Sequence, residues 1–233
     1  MPVQRESDIN DFAFEYLRNH YIAQQGNSHV LVDRHEQTKQ GYVSEGLFSF
    51  KGKDEKLFIA SLHTHNSPKI SRALTCYKKK GLSKLRYALF LLVLAGAFMA
   101  GWQVAQLALW IAIPAAVVLA TACFVLHTLL EKRYRLHQLA SLLDELKRTP
   151  ADEQWLGLSM SSLTFRNNSL ASHMLAMCER RGIGVITVGK RAKVVLMQEP
   201  RTLTCRRGDF LSHYAAEVRI RKAVLGDSYL RVA

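Results

Sequence analysis

Between Tyr87 and Leu130 the chain runs 44 residues without an aspartate, glutamate, lysine or arginine. A helix needs about 20 apolar residues to cross roughly 30 Å of hydrocarbon, so the run has room for two crossings and a tight turn. The first is expected near Tyr87 to Val104 and the second near Leu107 to Leu129. This lack of charge argues against an ordinary soluble protein, because the remaining chain is too short to cover two such helices. Its position, 86 residues in, speaks against a signal peptide.

Cysteine is also scarce. Cys76, Cys123, Cys178 and Cys205 lie far apart, and no CxxC or Cys/His ligand spacing occurs. That excludes a structural zinc site of the usual kind and favours free thiols in a reducing compartment. Other signatures are missing as well. There is no glycine-rich phosphate loop, Ser-His-Asp order, nucleophile elbow, internal repeat or long low-complexity tract. Acidic residues are outnumbered, 19 against 32 Lys+Arg, for a formal charge of +13. Such an excess suits anionic partners: nucleic acid, acidic lipid or an acidic protein. The excess is spread, with 14 basic and 9 acidic residues in 1–86, and 18 and 10 in 131–233.

The flanks of the apolar run predict its orientation. Lys69 to Arg86 holds seven basic residues and no acidic one, including Lys78, Lys79 and Lys80. Lys132, Arg133 and Arg135 follow the second helix. Both flanks, and hence both termini, are expected on the cytoplasmic side of a bacterial membrane, as a multi-pass protein with a short outward turn. Gln103 and Gln106, beside Trp102 and Trp110, mark that turn. Anchoring against acidic lipid is enough to explain the flank charges. The bilayer is thus the first expected partner.

Three segments result: 1–86 and 131–233 as two parts of one cytoplasmic α/β domain, and 87–130 as a transmembrane hairpin. Asp8 to Gln25 places Ile9, Phe12, Ala13, Tyr16, Leu17 and Tyr21 on one helix face, closed by Gly26. A short strand is expected around His29 to Val32, then a hairpin of Gly46 to Phe50 and Leu57 to Thr64 across a polar turn at Lys51 to Lys56. After the apolar run, Leu129 to Lys147 reads as a helix extending the second crossing and ending before Pro150. Asn168 to Arg181 is another helix, with Gly182 at its C-cap. Gly184 to Val188 and Lys193 to Met197 form a second hairpin, and Asp209 to Leu225 a last helix.

The stretch FIASLHTH, residues 58 to 65, carries Ser61, His63 and His65 at alternate positions, hence on one strand face. Three readings stay open for it: an ordinary strand with hydrogen-bonded histidines, a binding surface, or a metal site. The element order, with FAFEYL, SEGLFSF, LFIASLHT and ERRGIGVITV, resembles the restriction-endonuclease-like core of the PD-(D/E)xK nucleases, Mrr-type enzymes included. In these, ERRGIGVITV corresponds to the fourth strand. The resemblance implies a mixed sheet flanked by helices, interrupted here by the transmembrane α-hairpin.

It also implies a site. Glu15 and Glu45 match the family's first two acidic positions, while Ser61 stands at the third-strand acid and His63 at the lysine. In such enzymes two carboxylates hold Mg²⁺, which polarises the phosphate and activates water. Here Glu45 and His63 are the candidate metal ligands, better suited to Mn²⁺ or Zn²⁺ than to Mg²⁺. Lys190, Arg191 and Lys193 in the second hairpin are candidate phosphate contacts. Two functions follow as expectations. One is a non-catalytic, nuclease-like platform for nucleic acid or a protein partner; the other is a membrane-tethered, metal-dependent nuclease with a rearranged site.

Overall fold

A computed structural model describes residues 6–25, 29–52, 56–104, 108–189, 193–205 and 208–226. Gly26, the middle of the Lys51 to Lys56 turn, Gln106, Lys190 and Arg191 lie outside the described residues. Contacts divide the chain into two compact units, Met1–Thr75 with Leu139–Ala233, and Cys76–Gln138.

The first unit is a mixed α/β fold around a six-stranded sheet. In chain order it comprises α1 (Glu6–Gln25), β1 (Leu31–Gln37), β2 (Val43–Lys51) and β3 (Leu57–His63), then most of α2 (Ser67–Lys80). After the second unit come β4 (Glu153–Leu158), α5 (Ser169–Arg181), β5 (Ile183–Val188), β6 (Val194–Gln198) and α6 (Glu217–Leu225). The strands lie in sequence order, β1 to β6. β1, β2 and β3 are antiparallel neighbours; β3, β4 and β5 are parallel; β6 returns antiparallel to β5. Strands from either side of the apolar run therefore pair directly, with Ser61 opposite Gln154 and His63 opposite Leu156.

The two sheet faces have different covers. Phe48 and Phe50 of β2, Ala60 and Leu62 of β3 and Trp155 of β4 share a core with Ala13, Phe14, Leu17 and Tyr21 of α1. Gly46 belongs to the same face, and a Cβ there would sit 2.1 Å from the Phe14 ring. Tyr21 stitches α1 to β4: its hydroxyl donates to Glu153 Oε2 at 2.6 Å and accepts from Trp155 Nε1 at 2.6 Å. The opposite face of β2 and β3 presents Leu47, Leu57 and Ile59, which pack with Leu211, Tyr214 and Ile220 from the C-terminal region.

Two elements go beyond the sequence reading. β4 inserts a strand, so ERRGIGVITV supplies the fifth strand rather than the fourth. α2 occupies part of what reads as a basic flank; its buried side is only Ser67, Ile70, Ser71 and Leu74. β1 is also longer and later than His29 to Val32 suggests, because its middle is paired through Asp33, Arg34 and Glu36.

The second unit contains α3 (Leu85–Met99), a π-helical turn (Ala100–Val104) and most of α4 (Leu109–Leu146). Two spans, Leu85–Gln103 and Leu109–Leu146, are long and apolar enough to cross a membrane. α4 is continuous through Leu146, so the segment read as Leu129 to Lys147 extends the second apolar helix as expected. At 38 residues it is about 57 Å long, nearly twice a bilayer core. Leu92, Trp110 and Val118 are exposed, whereas Ala112, Ala116 and Ala120 are buried at four-residue spacing. Ser83 and Arg135 close the polar end of this unit on Glu131, through the Ser83 N–H at 2.9 Å and the Arg135 guanidinium at 2.6 Å.

Candidate functional site

Strand alternation decides which predicted residues meet. Glu45 and Leu47 of β2, and Ser61 and His63 of β3, project from the face opposite α1. Glu45 and His63 come together, with His63 Nδ1 3.4 Å from Glu45 Oε2. The other ring nitrogen, Nε2, lies 2.6 Å from Thr149 Oγ1. Thr149 follows the end of α4, where its hydroxyl also reaches the Leu146 carbonyl at 2.9 Å. The imidazole thus bridges the Glu45 carboxylate and the Thr149 hydroxyl, and the hydroxyl is anchored in turn on the last turn of the helix.

His63 and Thr149 are buried, at 7% and 2% exposure, while Glu45 is partly exposed. Burial works to raise the Glu45 pKa, but the hydrogen bond and charge of His63 and the Thr64 N–H at 3.2 Å outweigh it, leaving the carboxyl below its ordinary value. Beside the row, Ser61 is wholly buried and its Oγ has no hydrogen-bond partner. Gln154, its neighbour across the parallel pair, donates to the Thr149 carbonyl through Nε2 but leaves Oε1 unpartnered.

Glu15 is not part of this cluster. It is exposed on α1, which covers the other face of the sheet. His65 lies beyond the end of β3, so the HxH of the sequence does not put two imidazoles on one strand face. Of the predicted phosphate contacts, Lys193 is exposed just before β6, while Lys190 and Arg191 lie outside the described residues.

Carboxylate, imidazole and hydroxyl in a row follow the order of an acid–base–nucleophile relay. Thr149, however, is buried and hydrogen-bonded at the end of a helix, so its oxygen is closed to a substrate. The metal implied by the resemblance does not fit either. The cluster offers one carboxylate, an imidazole with both nitrogens engaged, and a serine oxygen facing inward. Among the described residues no group of three or more His, Cys, Asp or Glu is arranged to hold a metal ion. What the arrangement does provide is a polar lock between β2, β3 and the end of α4.

Sequence reasoning missed Thr149 and Gln154. Thr149 precedes a proline after a helix and carries only the signature of a helix stop; its partner, His63, is 86 positions away. Gln154 belongs to the unrecognised β4. No protein-family model, curated protein or solved structure matches this chain.

Proposed function

We propose that this chain is a membrane-anchored protein whose cytoplasmic domain keeps a restriction-endonuclease-like fold without its catalysis, as a platform for nucleic acid. The observation that carries the reading is the fate of the third strand: where nuclease chemistry needs an acid and a lysine, Ser61 is buried and His63 is tied to Glu45 and Thr149. The sheet order supports the resemblance, with three antiparallel strands followed by a parallel fourth. The charge of +13 supports an anionic partner.

In this reading the spans Leu85–Gln103 and Leu109–Leu146 anchor the protein in the bacterial cytoplasmic membrane, with both termini cytoplasmic. The test uses the full chain in detergent with labelled single- and double-stranded DNA and RNA, with and without Mg²⁺ or Mn²⁺, beside a Glu45→Ala variant. Binding that falls steeply with salt, without cleavage, is the expected result. Absent or salt-insensitive binding would replace nucleic acid with a protein partner.

A second reading, a membrane-tethered nuclease with a rearranged site, draws on the closeness of Glu45 and His63. Metal-dependent cutting that disappears in Glu45→Ala would establish it and overturn the first.

A further inference from the structure

Three separate chain segments meet beside this row, all within the sheet-containing unit. The β1–β2 turn supplies Thr38, Lys39 and Gln40, the α4–β4 connection supplies Arg148 and Pro150, and the 3₁₀ turn Phe210–His213 supplies His213. Together they line a concave pocket of about 220 Å³. Its lining includes a lysine, an arginine and a histidine but no carboxylate. We propose that this pocket binds a phosphate group, as the free anion or as a small phosphomonoester.

The walls are fixed by main-chain and buried contacts. Lys39 N–H donates to the His213 carbonyl at 2.7 Å, tying the β1–β2 turn to the 3₁₀ turn. Thr38 pairs with Tyr214 as an isolated bridge, and the Tyr214 hydroxyl donates to the Pro150 carbonyl at 2.9 Å. Gly41, at φ +86°, closes the turn by donating its N–H to the Thr38 carbonyl. The basic residues thus hang from a frame that does not depend on a ligand.

Arg148 is the principal recognition group. Its guanidinium lies 5.7 Å from the centroid of the Tyr42 ring, and among the described residues no carboxylate pairs with it. This cation–π contact places the guanidinium beside the ring and leaves its N–H groups for a doubly accepting oxyanion. Lys39 is the second cation. Glu217 holds its ammonium at 3.0 Å, so an incoming phosphate must share that lysine with a carboxylate. His213 is exposed and adds an N–H donor.

Size narrows the ligand class. Pockets for drug-sized molecules begin at roughly 300 Å³, so this one takes a phosphate with a small organic remainder rather than a dinucleotide. It also adjoins the polar lock: Arg148 and Pro150 flank Thr149, whose hydroxyl meets His63. Seating an anion on Arg148 would therefore brace the connection that carries Thr149. None of this requires the nuclease-like reading, because no pocket residue belongs to the motifs that carry that resemblance.

The test measures thermal stabilisation of the full chain in zwitterionic detergent at constant ionic strength. Chloride is replaced in steps by inorganic phosphate, glycerol 3-phosphate or adenosine 5′-monophosphate. A saturable rise in Tm with inorganic phosphate is expected, lowered in affinity roughly ten- to hundredfold in Arg148→Gln, as for loss of a charge-assisted hydrogen-bond pair. Lys39→Gln should weaken the response less, and Arg166→Gln, at an exposed position elsewhere, should leave it unchanged. Arg148→Lys keeps the charge and loses the fork, so it should fall between wild type and Arg148→Gln. A tighter response to either ester than to phosphate identifies the organic source; equal responses identify the anion itself, and both support the site. No saturable response to phosphate, or one that Arg148→Gln and Lys39→Gln leave intact while both variants remain folded, would overturn it.

Discussion

At the scale of single residues, the polar row holds the energetic interest. Removing the Thr149 hydroxyl leaves a nitrogen of the buried His63 ring without its hydrogen bond, which typically costs about 1–3 kcal/mol. Thr149→Val is nearly isosteric and deletes only the hydroxyl, so it should lower the Tm of the full chain by an amount in that range. Thr149→Ser, which keeps the oxygen, should stay close to wild type. Equal losses in the two variants would mean that packing, rather than the bond to His63, stabilises this position.

Asp152 gives a second residue-scale expectation, in pH. Burial is the main cause that pushes its carboxyl up to about 6; the Ile59 N–H pulls the other way, and the negative charges of Glu153 and Asp209 add to the rise. An acid with a raised folded pKa binds protons more tightly in the folded state. Its contribution to stability is therefore complete below the ordinary value of 3.8 and is lost as pH rises through about 6. Asp152→Asn keeps an oxygen for the Ile59 N–H, now 2.8 Å from Oδ2. Relative to wild type, the variant should gain stability between pH 4 and 7, by about 1 kcal/mol after allowance for solvent screening. Parallel Tm–pH curves for the two proteins would contradict this assignment.

At the scale of elements, α1 meets the sheet at positions that tolerate little. Gly46→Ala would put a methyl carbon inside contact distance of Phe14, and overpacking of this kind typically costs about 1–3 kcal/mol. Tyr21→Phe would strand Trp155 Nε1 and one oxygen of Glu153, costing a similar amount while leaving the aromatic packing in place. Loss of Tm in both variants, with unchanged far-ultraviolet circular dichroism, would show that the α1–sheet seam governs stability.

These same elements show what a single sequence makes legible. α1, the β2–β3 hairpin, α5 and β5 announce themselves through helical periodicity, short β-rich runs and a capping glycine, and Gly182 does take the left-handed C-cap at φ +69°. β4 does not. It is six residues long, and a charge and an amide open it. Its buried character comes from parallel neighbours on both sides, one of them more than 90 positions earlier. α2 was hidden because small residues, Ser67 and Ser71, make up half of its buried side, and its three terminal lysines read as a membrane flank. The cluster was half legible: strand register from the hairpin puts Glu45 beside His63, but no local signal links either to Thr149.

At the scale of the whole molecule, the division of charge predicts how the chain sits in a cell. Moving Lys78 to Lys80 or Arg133 across a bilayer is costly, while the segment between the apolar helices carries no Asp, Glu, Lys or Arg. A membrane-impermeant thiol reagent reads the outcome on intact cells. Cys76 is exposed in the folded chain, so it should react only after permeabilisation. Gln106→Cys, introduced together with Cys76→Ser, should instead react from outside without it. The protein should also remain with the membranes after alkaline extraction, as expected for helices that span rather than adhere. Labelling of Cys76 in intact cells would invert the proposed orientation and remove a cytoplasmic platform from consideration. Release by alkaline extraction would remove the anchor itself, and the exposed leucines of α3 and α4 would then need a protein cover.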